Sequence, residues 1–369
     1  MKNTFGQSVS VTLFGESHGE MIGAVIDGLS PGIAVSEDFI ALQLSRRRPA
    51  SLIDTPRREQ DNFRIVSGVF SGRTTGTPIT ILIPNENTRS KDYDYGRARP
   101  SHADYSAYCK YHGYEDYRGG GHFSGRVTAA LTAVGGILIP ALNNIGVSVG
   151  THILTCGGVD DRKFENIADD IAKLNKSLFP VLDEACEAKM SERIMDARNS
   201  LDSVGGITQT AINGLVPGVG EPWFDSIESI ISHAIFSIGG IKGIEFGAGF
   251  AGTKLRGSEF NDGFRLRGGS VVTESNNNGG INGGISNGMP IIFNCAVKPT
   301  PTIARTQHTV DFLKMEQTEI EIHGRHDPAI IRRICPVIDS VSAIALCDIL
   351  AQRFGTDVFT KGVNECSTD

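Results

Sequence analysis

No membrane span is expected from this sequence. The longest nearly apolar stretch, residues 129–142, contains two glycines and Pro140 and falls short of the roughly 20 residues that a bilayer requires. It reads instead as a core helix. The opening Met1-Lys2-Asn3-Thr4-Phe5-Gly6 reaches Ser8 and Ser10 before any sustained apolar run, so no signal-peptide core is expected and a cytoplasmic protein is predicted. Cysteine spacing is equally uninformative. The seven cysteines, at 109, 156, 186, 295, 335, 347 and 366, include no C-x-x-C pair, which argues against a disulfide framework and against a zinc site. They read as reduced thiols, and no metal is expected. Positive charge is not in excess either: the net charge is -7 and the pI about 5.8, so nucleic acid is not an expected partner. Low complexity is confined to the last few residues.

What is present is unevenly distributed. Residues 46–99 hold ten arginines and Lys91 against six acids, a local charge of +5 inside an acidic chain. Such an island suits a small, highly charged anion better than a polymer, although solvated surface arginines give the same count. Glycine numbers 44 of 369 residues, above the usual share of about 7 %, and concentrates at 119–121, 239–252 and 279–288. Those clusters read as structured turns and close backbone approaches.

The chain also echoes itself. Ile26-Asp27-Gly28-Leu29-Ser30-Pro31-Gly32-Ile33 matches Ile212-Asn213-Gly214-Leu215-Val216-Pro217-Gly218-Val219, and Thr75-Gly76-Thr77-Pro78-Ile79 matches Asn287-Gly288-Met289-Pro290-Ile291 in the same order. Two related halves, approximately 1–150 and 200–360, are therefore predicted within one domain spanning 1–360, with 361–369 a short tail. Apolar periodicity predicts helices over 37–46, 125–143, 167–174, 225–236 and 336–353. Strands expected at 9–14, 22–26 and 270–273 do not alternate regularly with helices, so α+β layers about a pseudo-twofold are predicted rather than a doubly wound parallel sheet. The literal G-x-G-x-x-G at 247–252 precedes a polar segment broken by Gly257, and so lacks the helix that a dinucleotide fingerprint needs.

Several segments concentrate chemistry. Gly15-Glu16-Ser17-His18-Gly19 presents a hydroxyl and an imidazole in a tight connection; proton transfer and simple local hydrogen bonding are both open to it. Arg99-Pro100-Ser101-His102 precedes Arg118-Gly119-Gly120-Gly121-His122-Phe123-Ser124-Gly125-Arg126, a glycine run entering a helix whose start suits an anion. Asp327, in Gly324-Arg325-His326-Asp327-Pro328, serves equally as a helix cap or as a catalytic group. Lys298-Pro299-Thr300-Pro301-Thr302 is a stiff loop with one cation and two hydroxyls, suited to a phosphate-bearing ligand or to a rigid turn.

Together these residues resemble the chorismate synthases. The likeness runs from Gly6 to about Leu350, through the G-E-S-H-G segment continuing to Gly28, R-R-R-P at Arg46, T-T-G-T-P-I at Thr74, H-A-D at His102, D-Y-R-G-G-G at Asp116, the asparagine-glycine run at 277–288 and G-R-H-D-P at Gly324. The resemblance implies long central helices sandwiched between two antiparallel sheets, and a homotetramer. It implies a lyase that forms chorismate from 5-enolpyruvylshikimate 3-phosphate by anti 1,4-elimination of phosphate, with reduced FMN required and no net oxidation. It further implies His18 as the proton donor to the departing phosphate, His102 beside the flavin, and Ser17 and Asp327 as relays for the substrate proton by way of flavin N5. Arg48, Arg99, Arg126 and Arg325, with Arg47 adjacent, become the expected substrate contacts. Flavin contacts carry over to His122, Phe123, Ser124, Gly239, Gly240, Gly283, Lys298, Pro299, Thr300, Pro301, Thr302 and Arg325. NADPH is the candidate source of reducing equivalents, and a flavin-dependent reductase that consumes it is the rival enzyme. A non-catalytic binder of phosphate ligands is the other rival. Two departures from the family pattern stand out: Ala50-Ser51-Leu52-Ile53-Asp54 where many members carry an arginine, and His122-Phe123 where many read Arg-Ser.

Overall fold

The structure is a computed structural model describing residues 2–51, 53–55, 59–88, 94–322 and 327–366. Ten strands build its two five-stranded sheets. The first contains β1 (Thr4–Phe5), β2 (Ser10–Gly15), β3 (Met21–Asp27), β4 (Arg64–Ser67) and β5 (Ile79–Pro84), in the order β1-β2-β3-β5-β4. The second contains β6 (Ser148–Cys156), β7 (Val159–Asp160), β8 (Gly206–Asn213), β9 (Ile241–Phe246) and β10 (Ile291–Val297), in the order β9-β10-β8-β6-β7. Every neighbouring pair in both is antiparallel. In β5 and β10 alternate residues point inward and are buried, the period-2 pattern of a half-covered strand.

Between the sheets lie α1 (Glu37–Arg47), α2 (Thr128–Asn144), α3 (Ile227–Ile235) and α4 (Ile331–Phe354). Helix α2 packs on β3 and β5, and α4 packs on β6 and β8. Two glycines permit the close helix packing: a Cβ on Gly135 would sit 2.1 Å from Ser340 Oγ in α4, and one on Gly136 would sit 2.8 Å from Ile40 Cα in α1. By length and composition α2 with its preceding turn, and α4, could each cross a membrane, but the apolar windows of these helices are 83 % and 100 % buried in the protein core. The sandwich expected from the family resemblance is thus the observed architecture.

The sequence echo has an atomic counterpart. Thr74 Oγ1 accepts from Ile33 N–H at 2.9 Å and donates to Ser30 carbonyl at 2.7 Å. Ser286 Oγ accepts from Val219 N–H at 2.9 Å and donates to Val216 carbonyl at 2.6 Å. Ile26 pairs with Ile79 as Ile212 pairs with Ile291.

Several elements differ from expectation, among them the helix expected at 125–143, which is a 3-10 turn at Gly125–Val127 followed by α2. Helix α4 begins at Ile331, not at 336, and carries Pro336 in its second turn. The expected helix 225–236 is α3 preceded by a 3-10 turn at Trp223–Asp225. The strand expected at 270–273 exists but pairs only with Phe264–Arg267, in a separate hairpin. A helix at Glu184–Asn199 was not expected, because its buried face consists only of Cys186, Met190 and Ile194 on an otherwise polar segment.

Candidate active site

The turn between β2 and β3 is closed by glycine chemistry. Gly15 has φ +94°, and a Cβ there would meet the Met21 carbonyl at 2.3 Å. Ser17 is completely buried and its N–H donates to the Gly121 carbonyl at 3.0 Å. Gly119, Gly120 and Gly121 all have positive φ, a conformation that side chains resist. A Cβ on Gly119 would lie 2.2 Å from His18 Nδ1 and 2.7 Å from Ser17 Oγ, so only glycine lets this loop close over both. His122 donates Nδ1–H to the Gly15 carbonyl at 2.8 Å and locks the loop to the end of β2. Ser124 Oγ accepts the Arg126 N–H at 3.3 Å, and Phe123, half exposed, meets Tyr111 edge-on.

Below this turn lies an arginine cluster. Arg47 and Arg126, both buried, converge on the two oxygens of Asp61, whose side chain is fully buried. Arg47 Nη2 donates to Oδ2 at 3.1 Å and Arg126 Nη1 donates to Oδ1. Burial alone would raise the Asp61 carboxyl; the two guanidinia outweigh it and hold it below the usual carboxylate range. Burial draws Arg47 down to about 10, against the pull of Asp61 and with the repulsion of Arg333 and Arg126, so Arg47 stays charged. Arg126 also donates to Asn85 Oδ1 and to the Pro84 carbonyl, both at 2.9 Å. Asn85 in turn donates to the Glu16 and Gly19 carbonyls at 2.9 Å, joining the arginines to the Ser17-His18 turn. Arg48 is partly exposed and donates to the Gln60 carbonyl. Arg99 forms a two-pronged pair with Asp104 at 2.8 and 2.7 Å, beside Gly120.

His102 faces the loop 298–302. Its Nδ1 lies 3.0 Å from the Pro100 carbonyl, which only accepts, so Nδ1 carries the proton and Nε2 accepts from Thr302 Oγ1 at 2.9 Å. Burial, reinforced by Arg99, lowers its pKa to about 4, and the ring is neutral at neutral pH. Lys298 donates Nζ to the Ser101 carbonyl at 2.8 Å, and its N–H bonds the Gly240 carbonyl at 2.9 Å. Here a cavity of about 330 Å³ opens, lined by Pro100, Ser101, Ser203 and residues 298–301. Thr300 Oγ1 is buried without a hydrogen-bond partner among the described residues, and a Cβ on Gly239 would meet nothing within 4 Å. An unsatisfied hydroxyl, a cation, two stiffening prolines and open backbone fit a phosphate-bearing planar group. Gly283 lies apart, at the tip of a hairpin whose neighbouring Gly284 abuts Glu221 and Ser226.

Asp327 is nearly buried and pairs with Arg333, which also donates Nε to the Arg47 carbonyl at 2.8 Å. Its Oδ1 has no hydrogen-bond partner among the described residues. Burial raises the Asp327 carboxyl above its ordinary range and Arg333 offsets this only in part. The helix cap is Ile330, without a side-chain bond, so Asp327 does not cap α4. Arg325 lies outside the described residues. Sequence reasoning missed Asp61, Asn85 and Arg333; the only signal for Asp61 was its place, with Glu59, between Arg58 and Arg64. The departure at 50–54 also gains a role, since Asp54 grips Arg332 of α4 through Nε at 3.2 Å and Nη2 at 2.6 Å.

The sequence family described as chorismate synthase matches residues 9–351. A chorismate synthase of Pyrococcus abyssi is 44 % identical over 350 residues, covering 94 % of this chain and 97 % of its own length. One from Dehalococcoides mccartyi is 42 % identical over 358 residues, covering 96 % and 98 %. A crystal structure of chorismate synthase superposes with a TM-score of 0.75 at 27 % identity, covering 95 % of this chain and 94 % of the other. With the two-sheet sandwich, the closed Ser17-His18 turn and matches over nearly its whole length, this chain belongs to the chorismate synthase family.

Proposed function

We propose that this chain eliminates phosphate from 5-enolpyruvylshikimate 3-phosphate to form chorismate, acting as a carbon–oxygen lyase with reduced FMN as cofactor and closing the shikimate route to aromatic amino-acid precursors. The observation that carries this reading is the convergence, through one connected set of contacts, of the Ser17-His18 turn, the Gly119–Arg126 loop, the arginine pair on Asp61 and the Asp327–Arg333 pair.

The substrate carries two carboxylates and a phosphate ester, so it requires concentrated positive charge away from water. Arg48, Arg99, Arg126 and Arg325, with Arg47, supply it. The C–O bond to phosphate and one ring C–H bond break, the C–H electron pair enters the new diene, and no electron is gained or lost overall. His18 gives a proton to the departing phosphate. Ser17 and Asp327 handle the ring proton, a task for which a carboxyl raised by burial is suited. His102, held neutral by burial, steadies Thr302 and faces the cofactor side. The loop 298–302, with His122, Phe123, Ser124, Gly239, Gly240 and Arg325, would hold FMN. When bound, reduced FMN would supply an electron-rich ring system. NADPH serves at most as the reductant of that flavin.

A cytoplasmic setting is supported by seven free cysteines, five of them buried. Exposed Trp223, Phe224, Phe250 and Leu266 supply apolar surface for the proposed homotetramer. Mixing the protein anaerobically with 5-enolpyruvylshikimate 3-phosphate tests the function: phosphate and chorismate appear with chemically reduced FMN and not with oxidised FMN. No release in either case would reject the reading.

A further inference from the structure

We propose that Asp61 is a positioning residue for the substrate's anionic groups: its carboxylate sets Arg47 and Arg126 side by side and, through Asn85, fixes them relative to the turn carrying Ser17 and His18. This inference rests on the lyase reading above and adds a residue to it.

Two like-charged guanidinia do not approach one another unaided, and here both are buried, with Arg333 close enough to add repulsion. Asp61 resolves this by giving one oxygen to each. The remaining donors are partly committed. Arg47 Nη1 leans on the Gly125 carbonyl and Thr128 Oγ1, both at 3.3 Å. Arg126 reaches Asn85 and Pro84. Each contact fixes an angle of a planar fork whose geometry decides how it meets a phosphate or carboxylate. Asp61 itself has φ +54°, a left-handed conformation that a non-glycine residue rarely adopts. The chain therefore turns sharply here, where its carboxylate meets both arginines. Asn85 then transmits the position: its side chain spans Arg126 and the carbonyls of Glu16 and Gly19.

Asp61→Asn preserves shape while removing the charge, and it separates two roles by sign. Were Asp61 only a counter-charge, its loss would leave more positive charge and tighten anion binding. As a positioning residue, its loss lets the guanidinia part, so anions bind more weakly. The expected result is a rise of about tenfold or more in KM for 5-enolpyruvylshikimate 3-phosphate, the loss of about one charge-assisted contact. The dissociation constant for inorganic phosphate, read from the shift in melting temperature, should rise in parallel. Asp61→Glu keeps the charge but displaces it by one methylene and should weaken both constants too; it carries the test if Asp61→Asn does not fold. Phosphate binding that is unchanged or tighter in a folded Asp61→Asn protein overturns the proposal, as does a folded Asp61→Glu protein with parental constants. A parent protein that releases no phosphate from the substrate sinks the lyase reading instead, and the phosphate titration still decides the role of Asp61.

Discussion

Burial and Arg99 keep His102 uncharged down to about pH 4, and this has a consequence for stability. The unfolded chain protonates the same imidazole near pH 6.5. Between those values the unfolded state binds the extra proton, so stability is full above about 6.5 and falls as the pH drops toward 4. Urea midpoints of the parent should therefore decline more steeply across that window than those of His102→Gln, and identical slopes would contradict the assignment. Asp327 shows the opposite perturbation, a carboxyl raised by burial with one oxygen unpaired among the described residues. His18→Ala and Asp327→Asn are each expected to lower kcat by ~10²-fold or more with the fold intact by circular dichroism, as the proposed proton-transfer roles require. Turnover within a few-fold of the parent would remove them from the mechanism. His18, His102 and Asp327 stand out as candidates in the sequence because they sit in short strings dense in imidazole, hydroxyl, acid and arginine. Asp61 and Asn85 are not, because their importance lies in partners 14, 41 and 65 residues away.

The glycine loop Gly119–Gly121 and the β2–β3 turn form a single interlocked unit. Gly119→Ala combines φ +62° with an overlap onto His18 and Ser17; such strain costs on the order of 1–3 kcal/mol. It should depress both melting temperature and kcat, whereas Gly125→Ala, whose Cβ meets nothing within 4 Å, should leave melting temperature unchanged. Equal melting temperatures for the two variants would show that the loop is not closed over His18. Helix α1 was legible from its apolar residues at three- and four-residue spacing, and α2 from its nearly unbroken apolar run. Helix Glu184–Asn199 was not, for three buried residues, Cys186, Met190 and Ile194, make too thin a stripe on a polar segment. The early start of α4 was hidden by Pro336, read from sequence as a helix opener although the helix tolerates it in the second turn.

We propose that the two halves are related by an approximate twofold, on the strength of the Thr74 and Ser286 knots. Thr74→Val and Ser286→Ala each strip a buried hydroxyl of two hydrogen bonds and should each destabilise the protein by about 1–3 kcal/mol in denaturant titrations. A difference beyond twofold between the two losses would speak against equivalent roles. On the proposed reading, the two sheets, the helices between them and the arginine-rich site serve one reaction, an elimination without net redox change. The most direct measurement is an anaerobic time course with chemically reduced FMN and no NADPH, following phosphate, chorismate and the flavin spectrum over many turnovers. A lyase yields phosphate and chorismate in equal amounts while the flavin ends as reduced as it began. Flavin oxidation in step with product, or product only when NADPH is consumed, would contradict it and identify a reductase.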